Sequence, residues 1–477
     1  MEQLSDDAVL QVLRFLDVPS LLTCRLVCRR LGDLVLHPDA WLHREVGAAR
    51  RPCMCSVLRL APCLRRLDTT SAKITANSCL PAALASTRCA VAELQLWVHN
   101  DVEAGVATAL ILRQAGLGRL RCLGVSLGVN IEERVSASMI SMFLAAVAST
   151  RGWKEIDISM IRTVVPSFRT TASVALGSAV TTPSLKNFRC DRIPGAEPFV
   201  LFMLAGHADT LETVDLGPSP PNMFAASIAP LLAGMAHLRE LSCCNLRGLE
   251  ALTGCQSLRI LRLGVSRHEY PPVDRAACAG AAKLLRHAEH LRKLTLGAVQ
   301  ANAGVVVDLI CALAASGRSR LEWLTISTIV TGPHVQALIR ALPGLPALQF
   351  LEARVDVKQD VDDLVLAITP ITAPALQRVE LELDFTKGKV CVHAWFHGDA
   401  FKTLMERNPL LHFILRGEMY CGDKFCQACA KGCHAAVLQE SSLFSNYFLF
   451  CHDPEKKCSV DHSLKLGDGW GHWVHTD

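Results

Sequence analysis

Aromatic side chains are scarce in this chain: Phe, Trp and Tyr make up 5% of 477 residues, while half of all residues are hydrophobic. A core drawn from that pool is mostly leucine, valine and alanine, small aliphatics that suit repeated thin layers. Charge of one sign is also lacking. Lys and Arg number 49 against 45 Asp and Glu, a net of +4, without the clustered excess that a nucleic-acid backbone demands, so no nucleic acid is expected as a partner. Membrane-length apolar runs are missing as well. The longest, Ala137 to Ala148 and Ala303 to Ala315, fall short of the ~20 residues needed to span a bilayer, and Asp308 interrupts the second. The start at Met1 is acidic, with no apolar run behind a basic segment, so no secretory signal is expected. These absences predict a soluble cytoplasmic or nuclear protein without a membrane partner. In such a compartment the 21 cysteines read as reduced thiols and not as a disulfide framework, with Cys24, Cys28, Cys190 and Cys243 as small core residues.

Catalytic signatures are missing too. There is no nucleophile elbow, phosphate-cradling glycine loop or metalloprotease motif, and Gly116 and Gly118 lack the residues that would make one. A non-catalytic protein is therefore expected, with no catalytic residues.

What is present is ordered from the N terminus. Ser5 can cap a helix whose first turn holds Asp6 and Asp7, acidic residues that complement the positive end of the helix dipole. Val9, Leu10, Val12, Leu13 and Leu16 follow at three-and-four spacing, which predicts one buried helix face. Asp17, Val18 and Pro19 break the chain, and Pro19 suits the first turn of a second helix, where its missing amide hydrogen would have had no partner. That helix carries Leu21, Leu22, Cys24, Leu26, Val27, Cys28 and Leu31 beside Arg25, Arg29 and Arg30, and Pro38 to Trp41 signal a third short element. Three helices in about forty residues bury too little surface to stand alone, so they need the rest of the chain or another protein.

The order of acidic start, aliphatic helix, proline break, paired leucines, Val27-Cys28-Arg29-Arg30 and Trp41 resembles the F-box. It departs from the family at Ser5, where proline is usual, and the helix start is left intact. The resemblance implies docking on a Skp-family adaptor, and through it on the cullin of a ubiquitin ligase, by way of Leu4, Leu10, Leu13, Pro19, Leu21, Leu22 and Val27, with some of these leucines being internal packing. Two other readings compete. One is a plain helical cap on a larger domain; the other, a helix-turn-helix nucleic-acid reader using Arg25, Arg29 and Arg30, is opposed by the balanced charge.

Behind this module one phrase recurs, a leucine followed by apolar residues three and five positions later. It appears as Leu64-Leu67, Val91-Leu94-Leu96, Leu120-Leu123-Val125, Trp153-Ile156-Ile158, Leu185-Phe188-Cys190, Leu211-Val214-Leu216, Leu238-Leu241-Cys243 and Leu258-Leu261-Leu263. It continues as Leu291-Leu294-Leu296, Leu321-Leu324-Ile326, Leu348-Leu351, Leu376-Val379-Leu381 and Leu410-Phe413-Leu415. The starts lie mostly about 26 to 34 residues apart, with one shorter step of about 20 between Leu238 and Leu258. Alternating apolar residues predict short strands, and a helix must return the chain so that the next strand lies parallel. Alanine-rich intervals at 104–115, 137–149, 198–205, 221–235, 276–288, 305–315 and 334–342 supply the returns.

The array resembles the irregular leucine-rich repeats found behind F-boxes. The asparagine or cysteine turn after the strand is mostly absent, with Asn245 and Cys190 as partial echoes. An all-helical armadillo-like solenoid is the competing architecture. Val379, Leu381 and Leu383 alternating with Glu380, Glu382 and Asp384 favour strands. If the strands line a concave face, Glu322, Glu352, Arg354, Glu380, Glu382 and Asp384 are candidates for partner contact, although a solvated face accounts for them equally well.

After Gly417 the composition changes again. Six cysteines and five histidines fall between Cys421 and Asp477, including Cys426-x-x-Cys429, Cys433-His434, Cys451-His452, Cys458-x-x-x-His462, His472 and His475. Close thiolate and imidazole pairs can hold tetrahedral zinc, which makes Cys426, Cys429, Cys433, Cys451, Cys458 and His462 weak candidate ligands. Only Cys426 and Cys429 form a clean pair, and reduced structural cysteines are the alternative.

Taken together, the reading is an α/β chain. A three-helix F-box at 1–46 precedes an irregular leucine-rich-repeat solenoid, or horseshoe, at 57–417 and a Cys/His-rich tail at 418–477. The expected role is substrate recognition for an SCF-type ubiquitin ligase, with an unidentified target protein; the alternative is a repeat scaffold whose N-terminal helices only cap the solenoid.

Overall fold

The computed structural model describes residues 4–47, 54–70, 79–128, 135–161, 182–191, 193, 195–217, 228–264, 274–297, 303–317, 319–355, 361–383, 395, 397–416, 427–430, 446–450 and 471–475. The chain divides into two compact units, one of residues 1–217 with 234–238 and the other of 218–233 with 239–477.

The first unit opens with four short helices where three are expected. Helix α1 (Asp6–Leu13) is capped by the Ser5 hydroxyl, which accepts the Ala8 amide at 3.3 Å, and it stops at Leu13 and not at Leu16. In α2 (Val18–Cys24) the Asp17 carboxylate caps Ser20 at 2.9 Å, with proline in the first turn as its backbone chemistry requires. The single second helix expected from sequence is split. After Cys24 the chain tightens through Leu26 N–H to Thr23 C=O (2.9 Å) and Val27 N–H to Cys24 C=O (3.2 Å), then runs extended at Cys28 before α3 (Arg29–Val35). That break lets Leu31 and Leu34 turn inward while Leu26 and Val27 stay outside. Trp41, in α4 (Pro38–Trp41), is fully buried and donates its indole N–H to Val35 C=O at 2.5 Å. Arg44 donates to Leu13 C=O (2.7 Å) and Ala40 C=O (3.1 Å), tying together the C-terminal ends of α1 and α4.

Strand β1 (Glu45–Gly47) passes directly into the array by pairing parallel with β2 (Cys63–Asp68). Strands β3 (Ala90–Val98), β4 (Cys122–Gly128), β5 (Glu155–Ile161), β6 (Asn187–Asp191) and β7 (Thr213–Asp215) follow, each parallel to the one before. The helices returning the chain are α5 (Met54–Leu60), α6 (Leu80–Ser86), α7 (Asp101–Leu117), α8 (Ala137–Ser149) and α9 (Glu197–Gly206). Leu94, Leu123, Ile156, Phe188 and Val214 sit opposite one another in register, each at most 1% exposed, so the repeated phrase is one continuous apolar ladder. Helix α7 is locked onto this ladder by Gln114. Its buried amide accepts the Val91 amide at 2.8 Å and donates to Cys89 C=O at 2.9 Å, standing in for backbone partners at the strand entrance.

The second unit repeats the scheme with β8 (Glu240–Cys244), β9 (Ile260–Gly264), β10 (Lys293–Gly297), β11 (Trp323–Val330), β12 (Phe350–Val355), β13 (Arg378–Leu383) and β14 (His412–Arg416), again parallel throughout. Its ladder runs Leu241, Leu261, Leu294, Leu324, Leu351, Val379 and Phe413, none above 1% exposed. The returns include α10 (Ile228–Ala233), α11 (Arg275–His287), α12 (Ala303–Ala314), α13 (Gly332–Ala341), α14 (Val361–Ala367) and the helix Asp399–Arg407. Between β8 and β9 the return is only the 3-10 turn Leu249–Gly254, which accounts for the short step in the sequence period. Two positions of the phrase are displaced: Leu376 is half-buried, and Leu410 is 77% exposed while Leu411 takes the inside place. Part of the Cys/His-rich tail extends this sheet, β15 (Asn446–Phe450) antiparallel to β14 and β16 (Gly471–His475) parallel to β15. Parallel strands with helical returns rule out the all-helical solenoid.

Candidate functional site

The structure divides the seven adaptor-contact candidates in two. Leu10, Leu13 and Leu21 are 7%, 2% and 0% exposed and form the inside of the four-helix module. Leu4 (46%) and Val27 (66%) face solvent, Pro19 is exposed and Leu22 is half-buried. Three further apolar side chains lie outside: Val12, placed on the buried face by sequence, is 55% exposed, Phe15 is 88% and Leu26 is 84% exposed. Val12 lies in the last turn of α1 outside the buried Val9-Leu10-Leu13 stripe, and Phe15 follows just past the end of that helix. The signal for them in the sequence is the apolar pair Val12 and Phe15 itself, hidden because apolar residues near helix spacing read as buried.

The remaining faces of the module are pinned. Arg30 pairs with Asp6 at 2.7 Å and also donates to Leu4 C=O, holding the lead-in segment against the third helix. Arg14 pairs with Asp39 at 3.0 Å. Hydrogen bonds from Ser20 hold the Asp17 carboxyl below its ordinary value, and partial burial lowers Arg44 with Asp17 opposing that shift. Toward the array, Cys63 Sγ meets Pro38 C=O at 3.5 Å and Arg119 donates to Leu42 C=O at 3.3 Å. The module is thus anchored to the first repeats while the large apolar side chains of Val12, Phe15, Leu26 and Val27 stay exposed.

The polar sides of the strands form a second candidate surface in each unit. In the first, Arg189 lies between Asp157 (3.7 Å) and Asp215 (3.5 Å), and burial raises the Asp157 carboxyl. In the second, Trp323 stacks on Phe350 with centroids 4.6 Å apart, and the Lys293 ammonium lies 4.2 Å from the Trp323 ring. The sequence candidates there are engaged within the sheet. Glu322 pairs with Arg292 at 2.6 Å, Glu352 accepts from Thr325 at 3.0 Å, and Arg354 lies 3.6 Å from Glu382. Glu380, expected to face outward, is only 5% exposed because Arg378 covers it at 2.9 Å. Asp384 lies outside the described residues.

Cys426, Cys433, Cys451, Cys458 and His462 also lie outside the described residues, and of Cys429 only the backbone is described, in the helix Gln427–Ala430. Among the described residues no cluster of His, Cys, Asp or Glu is arranged to hold a metal ion, and no helix is long and apolar enough to cross a membrane.

These features define an α/β repeat protein, strand and helix alternating, that carries a small helical module at its start. The F-box domain model matches residues 1–43, the stretch that builds α1 to α4. No curated protein matches the chain. Among solved structures, the leucine-rich repeat-containing protein LegL7 from Legionella pneumophila is similar at 15% identity, covering 70% of this chain and 95% of that one, with a TM-score of 0.35. The Rad7 and Elc1 complex in yeast is similar at 12% identity, covering 80% and 90%, with a TM-score of 0.33. Likenesses this distant leave the function to be argued from the F-box match and the exposed surface.

Proposed function

We propose that this chain is a non-catalytic substrate receptor of an SCF-type ubiquitin ligase. The F-box docks on a Skp-family adaptor, which links it to the cullin, and the repeats hold a target protein. The observation that carries this reading is the uncovered apolar set Val12, Phe15, Leu26 and Val27 within the residues that match the F-box domain model. In such a ligase the contribution of this chain is proximity: it fixes the target near the ubiquitin-transfer machinery, and no side chain of its own reacts. The capping alternative has its own support in the pairing of β1 with β2 and the full burial of Trp41. The two roles use different residues and are compatible.

The test is co-purification of the full chain with a Skp-family adaptor, followed by Phe15→Asp and Leu26→Asp. Both side chains are exposed, so each variant is expected to keep the wild-type melting temperature. Each is also expected to weaken adaptor binding at least ~30-fold, the scale of losing one ~2 kcal/mol interface anchor. Undiminished binding by the folded double variant would overturn the proposal and leave the helices as a cap.

A further inference from the structure

Cys55 and Cys79 are 24 residues apart in sequence, yet their sulfurs lie 3.0 Å from each other. Cys55 sits in the first turn of α5 and is 6% exposed, whereas Cys79 is exposed and directly precedes α6, with no capping hydrogen bond from its side chain. Helices α5 and α6 pack against each other, so the two thiols are presented by neighbouring elements. Burial separates Cys89, Cys190 and Cys244 from any soluble oxidant. The pair at 55 and 79 is different: Cys79 is an exposed residue and the buried Cys55 lies in sulfur contact with it.

We propose that Cys55 and Cys79 are an oxidisable dithiol, a modification site whose co-substrate is a low-molecular-weight disulfide of the glutathione class. The Cys79 thiolate attacks one sulfur of that disulfide, forming a mixed disulfide and expelling one small thiolate. The Cys55 thiolate then attacks the Cys79 sulfur, forming the Cys55–Cys79 bond and expelling the second. The two protons lost by the protein thiols are taken up by the two departing thiolates, so one small disulfide is reduced for each bond made. The sulfurs need to approach by only about 1 Å to reach bonding distance, a change within the reach of side-chain rotation. The bond ties α5 to α6 around β2 and constrains the unfolded chain there.

The test uses the full chain, native and reduced, incubated with oxidised glutathione, then digested without reductant and read by mass spectrometry. The expected product is a peptide pair joined through Cys55 and Cys79, restored to free thiols by dithiothreitol. Cys55→Ser is expected to trap glutathione on Cys79, and Cys79→Ser to leave Cys55 unmodified. Wild-type protein that carries glutathione on Cys79 to the same extent as Cys55→Ser, with Cys55 still a free thiol, would overturn the proposal. So would Cys55 joined to any other cysteine. The wild-type linkage is read without any substitution, so an unstable variant does not blunt the result.

Discussion

Trp41 is a fully buried residue of the N-terminal module, and its indole N–H is satisfied by Val35. Trp41→Ala leaves a cavity and an unpaired carbonyl, and is expected to lower stability by about 3–5 kcal/mol in urea unfolding. His207 illustrates a different constraint. It is 3% exposed, burial lowers its pKa below 6.5, and its Nδ1 accepts the Ser184 amide at 3.2 Å, which requires the neutral ring. Below about pH 6.5 the unfolded chain binds a proton there that the folded chain refuses, so this residue makes stability fall as pH drops through that window. His207→Gln, which keeps an acceptor but cannot titrate, is expected to flatten that part of the stability–pH curve in thermal melts. Thiol chemistry separates in the same way: burial pushes Cys89 and Cys244 up to about 12 and raises Cys190 as well, while Cys28, Cys79 and Cys311 are exposed. Brief alkylation of the native protein is expected to label the exposed three and spare the buried three, as peptide mapping would show.

At the scale of elements, two glycines test two kinds of constraint. Gly118 ends α7 at φ 74°, and a methyl group added there would meet nothing within 4 Å, so Gly118→Ala reports backbone strain alone and is expected to cost about 1 kcal/mol. Gly344, in the 3-10 turn Leu342–Gly344, would place a methyl 2.6 Å from the Ala314 carbonyl oxygen at the end of α12. Backbone has to move to relieve that clash, so Gly344→Ala is expected to cost more, about 2–3 kcal/mol, in the same denaturation measurement. The array's strands were legible because their apolar period of two is strong, and α8 was legible from its apolar run between Ser136 and Thr150. The split between α2 and α3 was not: an unbroken helix over 18–31 satisfies the same apolar pattern, and the break depends on whether Leu31 and Leu34 can pack against α1. Leu410 and Leu411 show the same ambiguity in a strand. Both are apolar, and pairing of Phe413 with Val379 decides that Leu411 goes inside.

At the scale of the whole molecule, each repeat buries its neighbours' apolar edges, so damage is expected to stay local. Removing residues 1–47 strips β1 and Trp41 from β2. Hydrogen exchange is expected to accelerate in β2 and α5, while β10 to β13 keep their protection. Collapse of the entire circular dichroism signal on that truncation would instead mean that the N-terminal module holds the array together.

The sequence by itself determined the order of the parts: a capped helical module whose motif order matches the F-box, then strand-forming phrases at a leucine-rich-repeat interval. Those follow from local rules, capping chemistry and the alternation of apolar residues, that need no distant partner. Tertiary structure alone decided which apolar residues are surface. Leu10, Leu13 and Leu21 go inside while Val12, Phe15 and Leu26 stay out, and Glu380 is covered while Glu352 reaches Thr325. The reason is physical: hydrophobicity gives a residue a preference for burial, but only packing among helices and strands fixes how many places exist inside and which side chains fill them.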